Sequence, residues 1–170
     1  NMSYITIDKS ALCDVILEGQ LLPGKKKEIR EYVTRNPMDV FEVFFHPEPS
    51  TPIYLEYEIN AYNAELVLLV PHLNKKTFGW VPWKYTGKKK VIKKVQVHKE
   101  NNEMYKWTAE LYFPFKLFIP LQNLDVKKGT CWNANFYRLD YDDTKMIKWS
   151  WSPIVKSFHE FEKYGVIQFN

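Results

Sequence analysis

Glu56 and Glu58 stand two apart in the alternating segment Pro52 to Asn60, so as strand residues their carboxyls share a face about 7 Å apart. Two carboxylates so placed have the reach to act as acid and base on a glycosidic bond; the plainer reading is a polar face satisfied by partners. Trp149 and Trp151 also stand two apart, with Lys148, Ser150 and Ser152 facing the other way. Turned to the core, these indoles are packing; turned to solvent, they form a platform on which a pyranose ring can stack. Trp80 and Trp83 belong to the loop Gly79-Trp80-Val81-Pro82-Trp83, where packing explains a large ring less readily. Arg138 falls on one face with Trp132, Ala134 and Phe136, so its guanidinium needs an acceptor. Glu42, Glu58 or Glu110 would serve as structural partners, and ligand hydroxyls are the alternative.

Other chemistry has little support. The chain carries no G-x-S-x-G elbow, H-E-x-x-H, P-loop or dinucleotide fingerprint. His46, His72, His98 and His159 are scattered, with no pair at the spacing of two ligands on one strand or helix face. Cys13 and Cys131 match no zinc spacing, and are read as free thiols or a single disulfide.

The elements that must position these residues are strands. Period-two alternation recurs along the chain, while the apolar spacing of a long amphipathic helix is nearly absent. In Pro52 to Asn60, for instance, Ile53, Leu55, Tyr57 and Ile59 fall on one face and Tyr54, Glu56, Glu58 and Asn60 on the other. Strands are expected at Tyr4 to Asp8, Val40 to His46, Pro52 to Asn60, Glu65 to Pro71, Val91 to His98, Tyr105 to Phe113, Thr130 to Tyr141, Lys145 to Trp151 and Val166 to Phe169. The prolines of His46 to Pro52 fix φ and remove donors, which makes that segment a loop. Lys128-Gly129-Thr130 and Tyr141-Asp142-Asp143-Thr144 read as tight turns. At most one short helix is expected, at Lys25 to Thr34 after Pro23-Gly24. The pattern predicts an all-β fold, a two-sheet antiparallel β-sandwich of immunoglobulin or jelly-roll type.

A chain of 170 residues suits a single domain spanning 1–170, and no linker or repeat divides it. No apolar run approaches the roughly 18 residues of a membrane span, and neither end shows a basic region followed by an apolar stretch, so no secretory signal is visible. The net charge of +4 comes largely from Lys84, Lys88, Lys89, Lys90, Lys93, Lys94 and Lys99, read as a solvated edge strand whose lysines block sheet-to-sheet pairing. No recognition helix or RNP-type motif accompanies them, so neither a nucleic-acid nor a membrane partner is expected. Aromatic residues reach 16%, with six tryptophans, more than a core of this size requires.

At these residues the chain resembles carbohydrate-binding module family 9, the sandwich modules attached to xylanases, and its less characterised relatives. The matching words are Asp39-Val40-Phe41-Glu42-Val43-Phe44-Phe45, Tyr54-Leu55-Glu56-Tyr57-Glu58-Ile59-Asn60, Phe113-Pro114-Phe115 and Gly129-Thr130-Cys131-Trp132-Asn133-Ala134-Asn135-Phe136-Tyr137-Arg138. Trp149-Ser150-Trp151-Ser152-Pro153, Phe158-His159 and Gly165-Val166-Ile167 follow in order. The likeness is strongest over 39–170.

The resemblance implies a non-catalytic module that holds a β-linked glucan or xylan fragment between two tryptophans, with polar side chains reading the hydroxyls. Trp149 or Trp151 would form one half of that clamp and Trp80 or Trp83 the other, because Asn36 stands where xylanase-attached members carry a tryptophan. Arg138, Asn135, Glu58 and Asn60 would contact hydroxyls. The resemblance further implies an extracellular setting and a larger carbohydrate-active enzyme as partner. No cofactor is expected. Members often bind structural calcium, but no acidic loop here matches such a site. The rival readings are a glycoside-processing enzyme using Glu56 or Glu58, and a structural or interaction domain whose sugar site is lost.

Overall fold

The computed structural model describes the backbone of residues 4–7, 15–21, 39–83, 85–100, 104–142 and 145–170, and the side chains of 39–83, 85–96, 107–140 and 146–170. Lys25 to Thr34, Cys13 and Asn36 lie outside the described residues.

The described chain is all-β. Its strands are β1 (Tyr4–Ile7), β2 (Val15–Leu21), β3 (Val40–His46), β4 (Ile53–Asn60), β5 (Glu65–Leu73), β6 (Lys76–Thr77), β7 (Val81–Pro82), β8 (Ile92–Glu100), β9 (Met104–Tyr112), β10 (Cys131–Asp142), β11 (Lys145–Ser150) and β12 (Gly165–Phe169). Among the described residues the helical pieces are short 3-10 turns at Gly87–Lys89, Phe115–Phe118 and Phe161–Lys163. The large sheet runs β1-β12-β10-β3-β4-β5-β6, with β11 added to β10 and β7 to β5; the small sheet runs β2-β9-β8. Described pairings are antiparallel except β1 with β12, which is parallel.

Sequence alternation sets both faces of the large sheet. Phe41, Val43, Phe45, Leu55, Tyr57, Ile59, Val67, Leu69, Trp132, Ala134 and Ile167 turn one way and meet Trp107, Ala109 and Leu111 of the small sheet in one buried cluster. Glu65 on β5 links the two sheets: it accepts from Tyr57 Oη at 2.8 Å and Tyr85 Oη at 2.6 Å, and Lys93 Nζ of β8 lies 3.2 Å from it. The opposite face carries a second, smaller cluster of Phe44, Tyr54, Leu68, Val70 and Tyr137, covered by Tyr164, Phe158 and Phe161 of the C-terminal segment 152–164.

On edge strand β8 Lys94 is exposed, as a solvated lysine edge requires, whereas Lys93 is largely covered and pairs with Glu65. Three strands were not expected from the sequence. Gly19 weakens the strand signal of β2, whose register comes from pairing along β9 from Leu111 to Tyr105. β6 and β7 are two-residue pairings on the β5 edge, too short to alternate.

Candidate functional site

β11 pairs with β10 from Tyr137 to Asp142; the rows up to Leu139, whose partner on the other side is Val40, also pair with β3, and those beyond it are two-stranded. Arg138 sits directly across from Trp149, and Asp140 across from Ile147. Side chains of directly opposed residues share a face, so these four form one surface. Trp149 is 59% exposed and Ile147 42%. The Arg138 Nη2 group donates to Asp140 Oδ2 at 2.6 Å and lies 3.6 Å from Asp39 Oδ2, while its Nε is buried without a hydrogen-bond partner. The result is a flat, open indole beside a guanidinium tied through Nη2 to Asp140 and flanked by Asp39.

The acceptors of Arg138 therefore differ from those expected. Tyr137 is the residue opposite Glu42, and Arg138 is opposite Phe41, so Glu42 and its partner Glu58 lie on the other face of the sheet. Glu110 is exposed on the small sheet.

Trp151 shares the face of Trp149 but is sunk into the core edge: it packs against Phe136 at 5.5 Å between ring centroids, and a Cβ on Gly165 would fall 2.3 Å from its ring. Trp83 is likewise half-buried, with Nε1 donating to Leu117 O at 3.0 Å and Lys89 Nζ 5.4 Å from its ring. Trp80 is 58% exposed beside exposed Phe78 and Val81. However, β10, β3, β4 and β5 separate β11 from β7, on the order of 24 Å along the sheet. This strand order gives no support to a clamp of one sugar ring between Trp149 and Trp80.

Two of the expected polar readers are occupied by the protein itself. Asn135 Oδ1 accepts from Ser152 N at 2.8 Å and Phe136 N at 3.0 Å, and its Nδ2 donates to Tyr137 Oη and Ser152 O. All four hydrogen-bonding positions of the amide are used, none for a ligand. Asn60 is buried, and its Oδ1 accepts from Tyr62 N and Ala64 N to close the β4–β5 turn.

The covered face holds groups that sequence spacing did not bring together. Glu42 lies opposite Glu58, and Phe44 opposite Glu56. Burial, reinforced by the charge of Glu58, pushes Glu42 up to about 8; burial, reinforced by Glu42 and Glu58, pushes Glu56 up to about 9. Burial also raises Glu58. Glu56 Oε2 is buried 4.0 Å from His159 Nδ1, which hydrogen-bonds Tyr54 Oη at 2.6 Å. His46 and His72 meet at 3.4 Å between Nε2 atoms, and burial lowers the pKa of both. The only hint in the sequence is that His46 and His72 close β3 and β5 near the same sheet end. Among the described residues no group of three or more His, Cys, Asp or Glu is placed to hold a metal ion.

No family model matches the chain, and no curated protein matches it. Among solved structures it is similar to a Bacteroides uniformis protein described as a "putative carbohydrate-binding protein", at 20% identity and a TM-score of 0.60. The match covers 79% of this chain and 62% of that one, so this chain spans less than two thirds of its neighbour. At that identity the likeness is one of fold.

Proposed function

We propose that this chain is a non-catalytic saccharide-binding domain, a two-sheet sandwich related to family 9 modules, whose binding surface is the β10–β11 face of Trp149, Arg138 and Asp140, backed by buried Asp39. The observation that carries this reading is the pairing of an open indole with an arginine anchored at 2.6 Å to Asp140. An indole covers the apolar face of a pyranose, and planar charged groups at its edge hydrogen-bond hydroxyls in the plane of the sugar. The fold neighbour supports the same class.

The ligand we favour is a β-linked glucan or xylan fragment, because alternate residues of such chains present flat faces to a single platform. Covering on the order of 100 Å² of ring contributes about 2 kcal/mol, and a few hydrogen bonds add to it, so affinities of roughly micromolar to millimolar follow. Catalysis by Glu56 and Glu58 is disfavoured by the burial of Glu56 against His159, away from solvent. Isothermal titration calorimetry with cello- and xylo-oligosaccharides tests the reading. Heat and Trp149 fluorescence change with either series support it, and silence across both at high protein concentration overturns it.

A further inference from the structure

The turn between β5 and β6 and the C-terminal segment 152–164 face each other across an open cleft of about 620 Å³. Lys75 and Lys76 line it from the turn side, and Lys156 and Lys163 from the segment, so basic residues about 80 apart in sequence share one space. The carboxylates at the cleft are those of Glu160 and Glu162.

Glu160 is fully engaged. It accepts from Lys163 Nζ at 2.6 Å and from the backbone N–H groups of Val155, Lys156 and Ser157. These donors hold its pKa down to about 2, with Lys163 the largest cause. Glu160 and Lys163 thus neutralise one another. Lys75, Lys76 and Lys156 remain, with no ion-pair partner among the described residues, against the single carboxylate of Glu162. The cleft carries a surplus of two positive charges.

The turn itself points the same way. Asn74 and Lys75 have φ of 50° and 63°, the left-handed conformation in which a hairpin ordinarily uses Asn-Gly. A glycine at position 75 would remove the steric cost, so Lys75 occupies the turn against local backbone preference. Neutral hydroxyl donors stand beside the ammonium groups. Ser157 Oγ accepts from His159 N, which leaves its own proton free to donate, and Thr77 lines the opposite wall.

We propose that this cleft is an anion-binding site, separate from the Trp149 surface, for a ligand bearing a carboxylate, sulfate or phosphate group. Its volume falls within the range of small-ligand sites and accommodates one acidic sugar residue.

Amide chemical shifts of Thr77 and Ser157, followed by NMR in low salt, test the proposal with three probes: sodium sulfate, sodium phosphate and trigalacturonate. Sodium chloride at matched ionic strength is the control. Saturable shifts of both amides are expected, weakened at least about tenfold in Lys75→Gln/Lys76→Gln and in Lys156→Gln, and unchanged in Trp149→Ala. Equal affinity for sulfate and trigalacturonate identifies a free-anion site, and tighter trigalacturonate an acidic-glycan site. Absence of shifts with all three probes up to about 10 mM, or wild-type binding by the lysine variants, overturns it. Neutral cellotriose, read at Trp149, reports separately on the saccharide platform.

Discussion

Arg138 on β10 and Trp149 on β11 are register partners, so the guanidinium and the exposed indole stand side by side on one face of the β10–β11 pair. The guanidinium is not free to swing: Asp140 holds it at 2.6 Å and Asp39 flanks it at 3.6 Å. A surface with one polar group fixed next to one flat apolar ring loses little side-chain entropy when a ligand settles on it.

Removing the indole separates binding from stability. Trp149→Ala is expected to weaken oligosaccharide binding roughly thirtyfold, the loss of about 2 kcal/mol of covered ring, while thermal stability moves within about 0.5 kcal/mol because the ring is exposed. Calorimetric titration and thermal melts on the same sample check both halves.

The neighbouring tryptophan behaves in the opposite way. Gly165 lies against the Trp151 ring, and an added methyl would meet Cζ3 at 2.3 Å, so Gly165→Ala must displace the ring from Phe136. A destabilisation of about 1–3 kcal/mol is expected, measured by urea denaturation. Binding per folded molecule is expected to persist if Trp149 alone supplies the stacking face.

Strand positions were legible because alternation survives wherever one face meets the core. Val40 to His46 was placed to the residue, and β4, β9, β10 and β12 within one residue or so at each end. The partners of Arg138 were not legible, since strand order and parity together decide which carboxylates share its face; Asp39 lies just before β3 and outside the alternation. Nor could spacing separate Trp149 from Trp151. Both project to one side; Gly165 and Phe136 lie against the Trp151 ring, while Trp149, opposite Arg138, stays 59% exposed. The His159–Tyr54 contact joins residues 105 apart in sequence through a segment with no period to read.

Asn135 is the tie that holds the C-terminal segment to the sheet. Its amide exchanges hydrogen bonds with the backbone N–H and C=O of Ser152 and also donates to Tyr137 Oη, whose proton goes to Phe158 O at 2.8 Å. Asn135→Ala leaves buried backbone groups unpaired, and a loss of about 2–3 kcal/mol is expected. Hydrogen exchange is the discriminating measurement: protection should fall across 152–164 before it falls in β3 and β4, and a uniform fall would refute the role.

The buried carboxylates set an alkaline dependence of stability. Glu42 and Glu56 have folded-state pKa values raised from 4.5 to about 8 and about 9 by burial and mutual repulsion. At these two groups the folded chain binds more protons than the unfolded chain between those limits, so their contribution to stability falls as pH rises from about 4.5 to about 9. The histidines contribute the reverse trend at acid pH: burial lowers His46, His72 and His159, and charging them below about 6.5 favours unfolding. Comparison with a variant isolates the carboxylate part. Glu42→Gln keeps the shape and removes the charge that Glu58 opposes across the strand pair. Its denaturation midpoint is expected to match wild type near pH 5 and to exceed it near pH 9, by an amount on the order of 2 kcal/mol. An equal gap at both pH values would show that folding does not raise the pKa of Glu42 into this range.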